Sequence, residues 1–368
     1  MVNLFDPWAD PAALRGRRVL LAMSGGVDSS VAAVLLQRAG AEVVGLTMKN
    51  FCWSEADTTA KSCCSLDHQQ DARQVCDRLG FTHYVLDVTR DFGQRVMDRF
   101  VAEYDAGRTP NPCVDCNQSV RFPQLLVQAD RLDCELVATG HYVRLGRSRD
   151  GRTFFRRARD TAKDQSYFLH GVAAEARARC VFPLGELVKD EVRAEARAAG
   201  LAVAAKPESQ EVCFLADGKR AAFLAERATP RPGIVVDAVG RKLGTHAGIG
   251  SFTIGQRRGI GVAASQPLYV TAIDAATATV VVGEEAALYA RGLDADGFWL
   301  DVDTASPHLA VQVRYRHPAV AIAAIAVEKA HATIHFAAPE RAVAPGQAAV
   351  LYDGDAVVGG GRIVAAHA

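Results

Sequence analysis

The stretch "LLAMSGGVDSSVAAVLL" limits what this chain can fold into more than any other. Arg18–Met23 has the length and continuity of a buried strand, and "DSSVAAVLLQRAG" carries a helical pattern that stops at Gly40. Ser24, Gly25, Gly26, Val27, Asp28, Ser29 and Ser30 lie where the strand gives way to the helix. Two glycines permit a tight turn that aims backbone N–H groups at an anion. The serine hydroxyls add donors, and the following helix offers its positive dipole end. The spacing is neither the mononucleotide G-x-x-x-x-G-K-[ST] loop nor the dinucleotide G-x-G-x-x-G loop. The bland alternative is a glycine turn capped by Ser24, but strand, loop and helix together predict a phosphate site at a strand end.

The alternation continues. "AEVVGLTM", "HYVLDV" and "CELVATGHY" read as strands, and "LDHQQDARQVCDRLG" and "RDFGQRVMDRFVAEYDAG" read as helices. Strands separated by helices of this length predict an α/β fold with a doubly wound parallel sheet, whose ligands sit beyond the carboxyl ends of the strands. From about Arg231 glycine becomes dense and short β-branched runs follow: "LYVTAIDA", "TATVVVG", "LAVQVRYRH", "ATIHFAA" and "AAVLYDGDAVVGGGRIV". These predict two small β-rich domains, so the expected division is 1–214, 215–290 and 291–368.

Composition excludes some classes. The 42 cationic and 42 acidic side chains balance, so no global field marks a polyanionic partner, although a local basic stripe is compatible with that balance. No apolar run is long enough to span a membrane, and the first residues lack the pattern of a signal peptide. The chain therefore reads as cytoplasmic. Its nine cysteines are then expected to be thiols, ligands or catalytic groups rather than a disulfide framework.

"TPNPCVDCN" places Cys113 and Cys116 in a C-x-x-C pair. Such a pair fits half a zinc site, a redox pair, part of a cluster ligand set, or a catalytic thiol beside an inert one. Zinc is the weakest fit, because no second C-x-x-C exists and Cys63 and Cys64 are adjacent. Cys52, Cys76, Cys134 and Cys180 stand in apolar or helical contexts and read as structural thiols.

Several motifs in order resemble one family. The S-G-G-x-D-S loop is similar to that of the ATP-pyrophosphatases, which have an adenine-nucleotide alpha-hydrolase-like fold. "TPNPCVDCN", "ATGHYVR", "KDQSYFL", "KPESQEVCFL", "FTIGQRRGIG" and "QVRYRH" resemble, in sequence order, the tRNA-specific 2-thiouridylases over nearly the whole chain. The resemblance implies ATP-dependent 2-thiolation of the wobble uridine of tRNA. It implies ATP contacts at Ala22, Met23, Ser24, Gly25, Gly26, Val27, Asp28, Ser29, Met48 and Gly140, with Asp28 holding Mg²⁺. It implies catalytic thiols at Cys213, the persulfide carrier, and Cys116, which frees the sulfur by disulfide exchange. It places Asn111, Pro112 and Cys113 by the flipped base, and His141, Lys163, Asp164, Gln165, Arg314, Tyr315 and Gln347 on tRNA. A persulfide-donating sulfur carrier or cysteine desulfurase is the implied partner.

The chain departs from part of the family at Cys113, where several members carry Asp. Cys113 is left as bystander, acid–base substitute or third ligand. With Cys116 and Cys213 it raises the alternative of sulfide held on a [4Fe–4S] cluster. Two further rivals are an argininosuccinate-synthase-like ligase and a non-catalytic RNA-binding module.

Overall fold

The computed structural model describes residues 10–51, 66–148, 151–207, 212–215, 220–228, 230–301, 306 and 308–368. Cys52, Cys63 and Cys64 lie outside the described residues. The contacts divide the chain into two compact units. The first comprises residues 1–96, 113–216 and 355–357, and the second residues 97–112, 217–354 and 358–368.

In the first unit the expected strands form as β1 (Arg18–Ala22), β2 (Glu42–Lys49), β3 (His83–Asp87) and β4 (Leu136–Ala138). Two further elements carry no strong sequence signal, the hairpin of β5 (Arg144–Arg147) with β6 (Thr153–Arg156), and the two-residue strand β7 (Cys180–Val181). The parallel sheet runs β3-β2-β1-β4-β7. Strand β1 is central, and Val19, Leu20 and Leu21 have no solvent exposure. That is why it reads as an unbroken apolar run rather than an alternation. Each such side chain contributes about 1.5–3 kcal/mol by leaving water. Helix α1 (Val27–Arg38) buries Val31, Ala32, Ala33 and Leu36 in the same core as Val75 and Cys76 of helix α2 (Leu66–Leu79).

The expected helix at residues 90–107 forms as Thr89–Phe92, a π-helical turn at Gly93–Met97, and Asp98–Asp105. A second such turn, Asn117–Arg121, follows the short helix Pro112–Cys116 and precedes Phe122–Arg131. Pro112 opens this run, at the helix start where a missing N–H costs nothing.

In the second unit β8 (Gly233–Val236), β9 (Lys242–His246), β10 (Tyr269–Asp274) and β11 (Thr279–Gly283) form a sheet ordered β10-β11-β8-β9. It closes over Val235, Phe252, Ile260, Val270, Val280 and Val282. A second barrel is built from β12 (Tyr289–Leu300), β13 (Leu309–Gln312), β14 (Val320–Glu328), β15 (His331–Arg341), β16 (Ala348–Asp353) and β17 (Ala356–His367). Their order β12-β15-β14-β13-β16-β17 returns to β12 through β12–β17 pairing, so the six strands close and no edge is left open. Among the described residues no helix is long and apolar enough to cross a membrane.

Candidate active site

Strand β1 has β2 on one side and β4 on the other, so the sheet has its crevice beyond the carboxyl ends of β1 and β4. The glycine loop stands there. Gly25 takes φ +67°, and a Cβ on it would overlap the backbone carbonyl of His68 in α2. The tight turn foreseen from the sequence therefore has two separate demands for glycine, handedness and space. Gly26 caps α1, and the loop is tied to the helix by side chains. The Ser24 N–H donates to Ser29 Oγ at 3.1 Å, and Ser30 Oγ donates to the Gly26 carbonyl at 2.8 Å. Met23 N–H donates to Leu46 of β2, and Thr47 Oγ1 donates back to the Met23 carbonyl at 2.9 Å, so the loop cannot slide along the sheet. Met48 is half-buried one step further along β2. Gly140 follows β4, and a Cβ there would stand 2.8 Å from the Ser29 nitrogen. The loop after β4 thus presses directly on the start of α1.

Asp28, in the first turn of α1, meets two side chains that the sequence reading did not single out. Lys189 Nζ lies 2.7 and 2.9 Å from its two carboxylate oxygens, and Tyr142 Oη donates at 2.7 Å. Lys189 opens the helix Lys189–Ala198, and its ammonium also lies 5.6 Å from the centre of the Tyr142 ring. A lysine at a helix N-terminus opposes the helix dipole, and that broken local rule is the sequence signal that marks it. Lys206 Nζ donates to the Gly25 carbonyl at 3.2 Å and to Asp71 Oδ2 at 2.5 Å.

The motifs downstream are hydrogen-bonded to this centre. Tyr142 and Gln165 exchange backbone and side-chain bonds: Gln165 N–H donates to the Tyr142 carbonyl and Tyr142 N–H donates to Gln165 Oε1, both at 2.9 Å. Gln165 leads into the helix Ser166–Leu169, whose Phe168 carbonyl accepts from Asn117 Nδ2 at 3.4 Å. Asn117 Oδ1 accepts from Arg121 at 2.9 Å, and the same guanidinium nitrogen lies 3.4 Å from His141 Nε2. The turn that carries Cys116 is thereby joined to Asp28 through named contacts. Arg121 is a further residue the sequence reading missed.

His141 holds Thr139 Oγ1 at 2.6 Å through Nδ1. Desolvation, aided by the Arg121 cation, pushes its pKa down to about 3, so the imidazole is neutral at ordinary pH. Any contact it makes with RNA is therefore that of a neutral donor or acceptor. Asp164 is buried, and its carboxylate accepts from Ala158 N–H, Ser166 N–H, Ser166 Oγ and Arg157 Nη1. It holds the turn that presents Lys163 and Gln165. Lys163 itself is half-buried.

Cys116 is buried, and Cys113, three residues earlier in the same turn, is half-buried. Cys213 is half-buried in a turn closed by Leu215 N–H on the Val212 carbonyl. The turn is anchored by Phe214, whose ring packs edge-on against Phe92 at 5.8 Å. Residues 208–211 and 216–219, on either side, lie outside the described residues. Among the described residues no three His, Cys, Asp or Glu side chains converge as a metal-ligand set. Cys113, Cys116 and Cys213 thus do not fit an iron–sulfur cluster in this arrangement. Asp28 does fit a Mg²⁺ accompanying a nucleotide, because the Lys189 ammonium already stands as a cation across both of its oxygens. Burial pushes the thiols of Cys76 (to about 12), Cys134 and Cys180 upward, which keeps them protonated and inert.

In the second unit Gln347 Nε2 donates to the Thr109 carbonyl at 2.8 Å, and Thr109 N–H donates to Pro345. Gln347 therefore fixes the backbone just before Asn111, which is half-buried, and Pro112, which is buried. Arg314 and Tyr315 occupy a turn after β13, where Gln312 Nε2 donates to the Arg314 carbonyl and the Arg316 guanidinium lies 5.4 Å from the centre of the Tyr315 ring.

The family model described as "tRNA methyl transferase HUP domain" matches residues 17–217. Those described as "tRNA methyl transferase PRC-barrel domain" and "Aminomethyltransferase beta-barrel domain" match 221–284 and 298–363. A tRNA-specific 2-thiouridylase MnmA of Sorangium cellulosum is 48% identical over 360 residues, covering 95% of this chain and 93% of the relative. One from Geobacter metallireducens is 45% identical over 358 residues, covering 95% of this chain and 97% of the relative. The chain belongs to the tRNA-specific 2-thiouridylase family. The family resemblance first seen in the short motifs thus extends over the whole chain, and the HUP-domain match falls on the unit that holds the glycine loop. A tRNA-specific 2-thiouridylase MnmA of Geotalea uraniireducens is 44% identical over 360 residues, covering 94% of this chain and 95% of the relative.

Proposed function

We propose that this enzyme, a tRNA-uridine sulfurtransferase, uses ATP to replace the C2 oxygen of the wobble uridine with sulfur, in the cytoplasm. The observation that carries the reading is the bonded path from Asp28 through Tyr142, Gln165, Phe168 and Asn117 to the turn of Cys116. It joins the phosphate loop to the thiol motif within one folded unit.

The C2 oxygen attacks the α-phosphorus of ATP, pyrophosphate leaves, and C2 now carries a good leaving group. The loop amides, the serine hydroxyls and the α1 dipole bind the phosphates. Asp28 would hold a Mg²⁺, which would supply charge neutralisation for the leaving pyrophosphate, and Lys189, within reach of Asp28, would offer its ammonium to the same phosphates. Neutral His141 and the Lys163–Gln165 turn hold the splayed nucleotide, with Arg314 and Tyr315 on the RNA. The terminal sulfur of a Cys213 persulfide, loaded by a persulfide-donating carrier, attacks C2 and AMP departs. The Cys116 thiolate then attacks Cys213 Sγ. The S–S bond to the transferred sulfur breaks, that sulfur stays on C2, and a Cys116–Cys213 disulfide forms, which an external dithiol reduces.

The test is expression of Cys116→Ser and Cys213→Ser chains in a host lacking the activity, with 2-thiouridine measured in its tRNA. Both variants are expected to give none above background. Normal levels from both would falsify the assignment of the thiols.

A further inference from the structure

The motif "FTIGQRRGIG" has no part in the site above. It folds in the second unit as a loop whose base is clamped: Gly255 N–H donates to Val270 and Val270 N–H donates to Gln256, both near 2.9 Å. The Gln256 side chain braces the loop from within, accepting from Thr253 N–H at 3.1 Å and donating to the Arg258 carbonyl at 3.0 Å. Ile260 is buried in the core of the β8–β11 sheet, which fixes the far side. Gly259 and Gly261 take φ +73° and +77°, so the chain between the anchors curls in a way that β-carbons would resist.

Three features of this braced loop point to an anion. Arg257 and Arg258 are exposed, and among the described residues neither side chain makes an ion pair or hydrogen bond within the protein. None of the backbone amides from Arg257 to Gln266 donates a hydrogen bond to another described residue. The loop surrounds a concavity of about 370 Å³ lined by Arg257, Gly259, Gly261, Gln266 and Leu268. The sequence around it supports this, since no Asp or Glu occurs from Ala238 to Ile273 although the whole chain is neutral. Uncompensated guanidinium groups and open amides on a rigid scaffold suit phosphodiester oxygens.

We propose that the Arg257–Gln266 loop docks backbone phosphates of the tRNA substrate, Arg257 and Arg258 supplying charge and the loop amides neutral donors. This rests on the thiouridylase reading. It adds an RNA contact in the β8–β11 sheet that carries no base information and only strengthens and orients binding.

The experiment is tRNA binding by the full-length Arg257→Ala/Arg258→Ala variant across a salt series, with ATP KM and 2-thiouridine formation at saturating tRNA measured alongside. Loss of two phosphate contacts is expected to reduce the slope of log affinity against log salt by about two. Between about 50 and 200 mM salt, the wild-type chain then loses roughly tenfold more affinity than the variant. ATP KM and the rate at saturating tRNA stay unchanged. Arg257→Lys/Arg258→Lys, which keeps both charges, keeps the slope and shows that the loop still folds. An unchanged slope in the alanine variant overturns the proposal, as does a raised ATP KM with unaltered tRNA affinity, which would make the loop a nucleotide site. Wild-type protein that binds no tRNA at all would instead overturn the thiouridylase reading, and this inference with it.

Discussion

Two sets of cations in this molecule are arranged in opposite ways. In the first unit Lys189 and Lys206 each have a carboxylate within the protein, Asp28 and Asp71, and both reach the glycine loop. In the second, Arg257 and Arg258 project from a braced loop with no acid near them in sequence. A carboxylate partner spares a buried or half-buried cation the much larger cost of standing unpaired, and the cation becomes available when a stronger partner displaces it. Uncompensated cations are tolerated only in water and attract whatever polyanion approaches. The first arrangement suits a reaction centre and the second a docking surface.

The strongest way to break the first side of this comparison is to spoil the loop itself. Gly25→Ala places a methyl against the His68 carbonyl at a left-handed backbone position. It is expected to lower tRNA-dependent AMP release by about 100-fold through misplaced phosphates, while tRNA affinity is kept. Wild-type AMP release from a folded variant would show that the loop does not hold the phosphates. A smaller effect follows from Lys189→Met, which removes the cation paired to Asp28 and is expected to cost about tenfold in kcat. The salt series sharpens the contrast here. The Lys189 loss should be the same at low and high salt because its charge acts inside the site, whereas the Arg257 and Arg258 loss should fade as salt rises. A Lys189→Met defect that vanishes at high salt would place that lysine on RNA instead.

The smallest expected effect concerns His141, which lies beside Arg121 and stays unprotonated. Its folded-state pKa is depressed to about 3 from an ordinary 6.5, so between those values the unfolded chain binds the extra proton and the folded one does not. The stability it contributes is present above pH 6.5 and is lost as pH falls toward 3. Between pH 7.5 and 5 this amounts to about 1–2 kcal/mol, and His141→Asn should flatten that part of the stability profile by the same amount. Unfolding midpoints of both chains at the two pH values check it, and an identical pH dependence would refute the assigned cause.

Much of the first unit was legible before the structure. β1, β2 and β4 declared themselves because a buried parallel strand is an unbroken apolar run, whereas β3, at the sheet edge with Tyr84 and Val85 exposed, showed only a short β-prone stretch. The strand β7 did not, because two residues carry no period. In the second barrel β12 and β14 also escaped: "YARGLDADGFWL" mixes glycine and acids with its apolar residues, and "VAIAAIAVE" is apolar almost throughout, so neither shows a clear two-residue period. The candidate site divides the same way. Ser24 to Ser30 and Cys113 to Cys116 stood out through local spacing, although the role expected of Cys116 came only from the family resemblance. Arg121 and Tyr142 look like ordinary surface and core residues until folding places them.

The sequence alone determined the glycine loop between strand and helix, the α/β class and the family resemblance, because each is carried by residues within one strand–turn–helix or one short motif. Which charge faces Asp28 was left to the tertiary structure. Lys189 stands 161 residues after Asp28 and reaches the carboxylate only because its helix packs against α1. The same holds for His141, whose neutrality comes from desolvation and the nearby Arg121, neither of which exists in the extended chain.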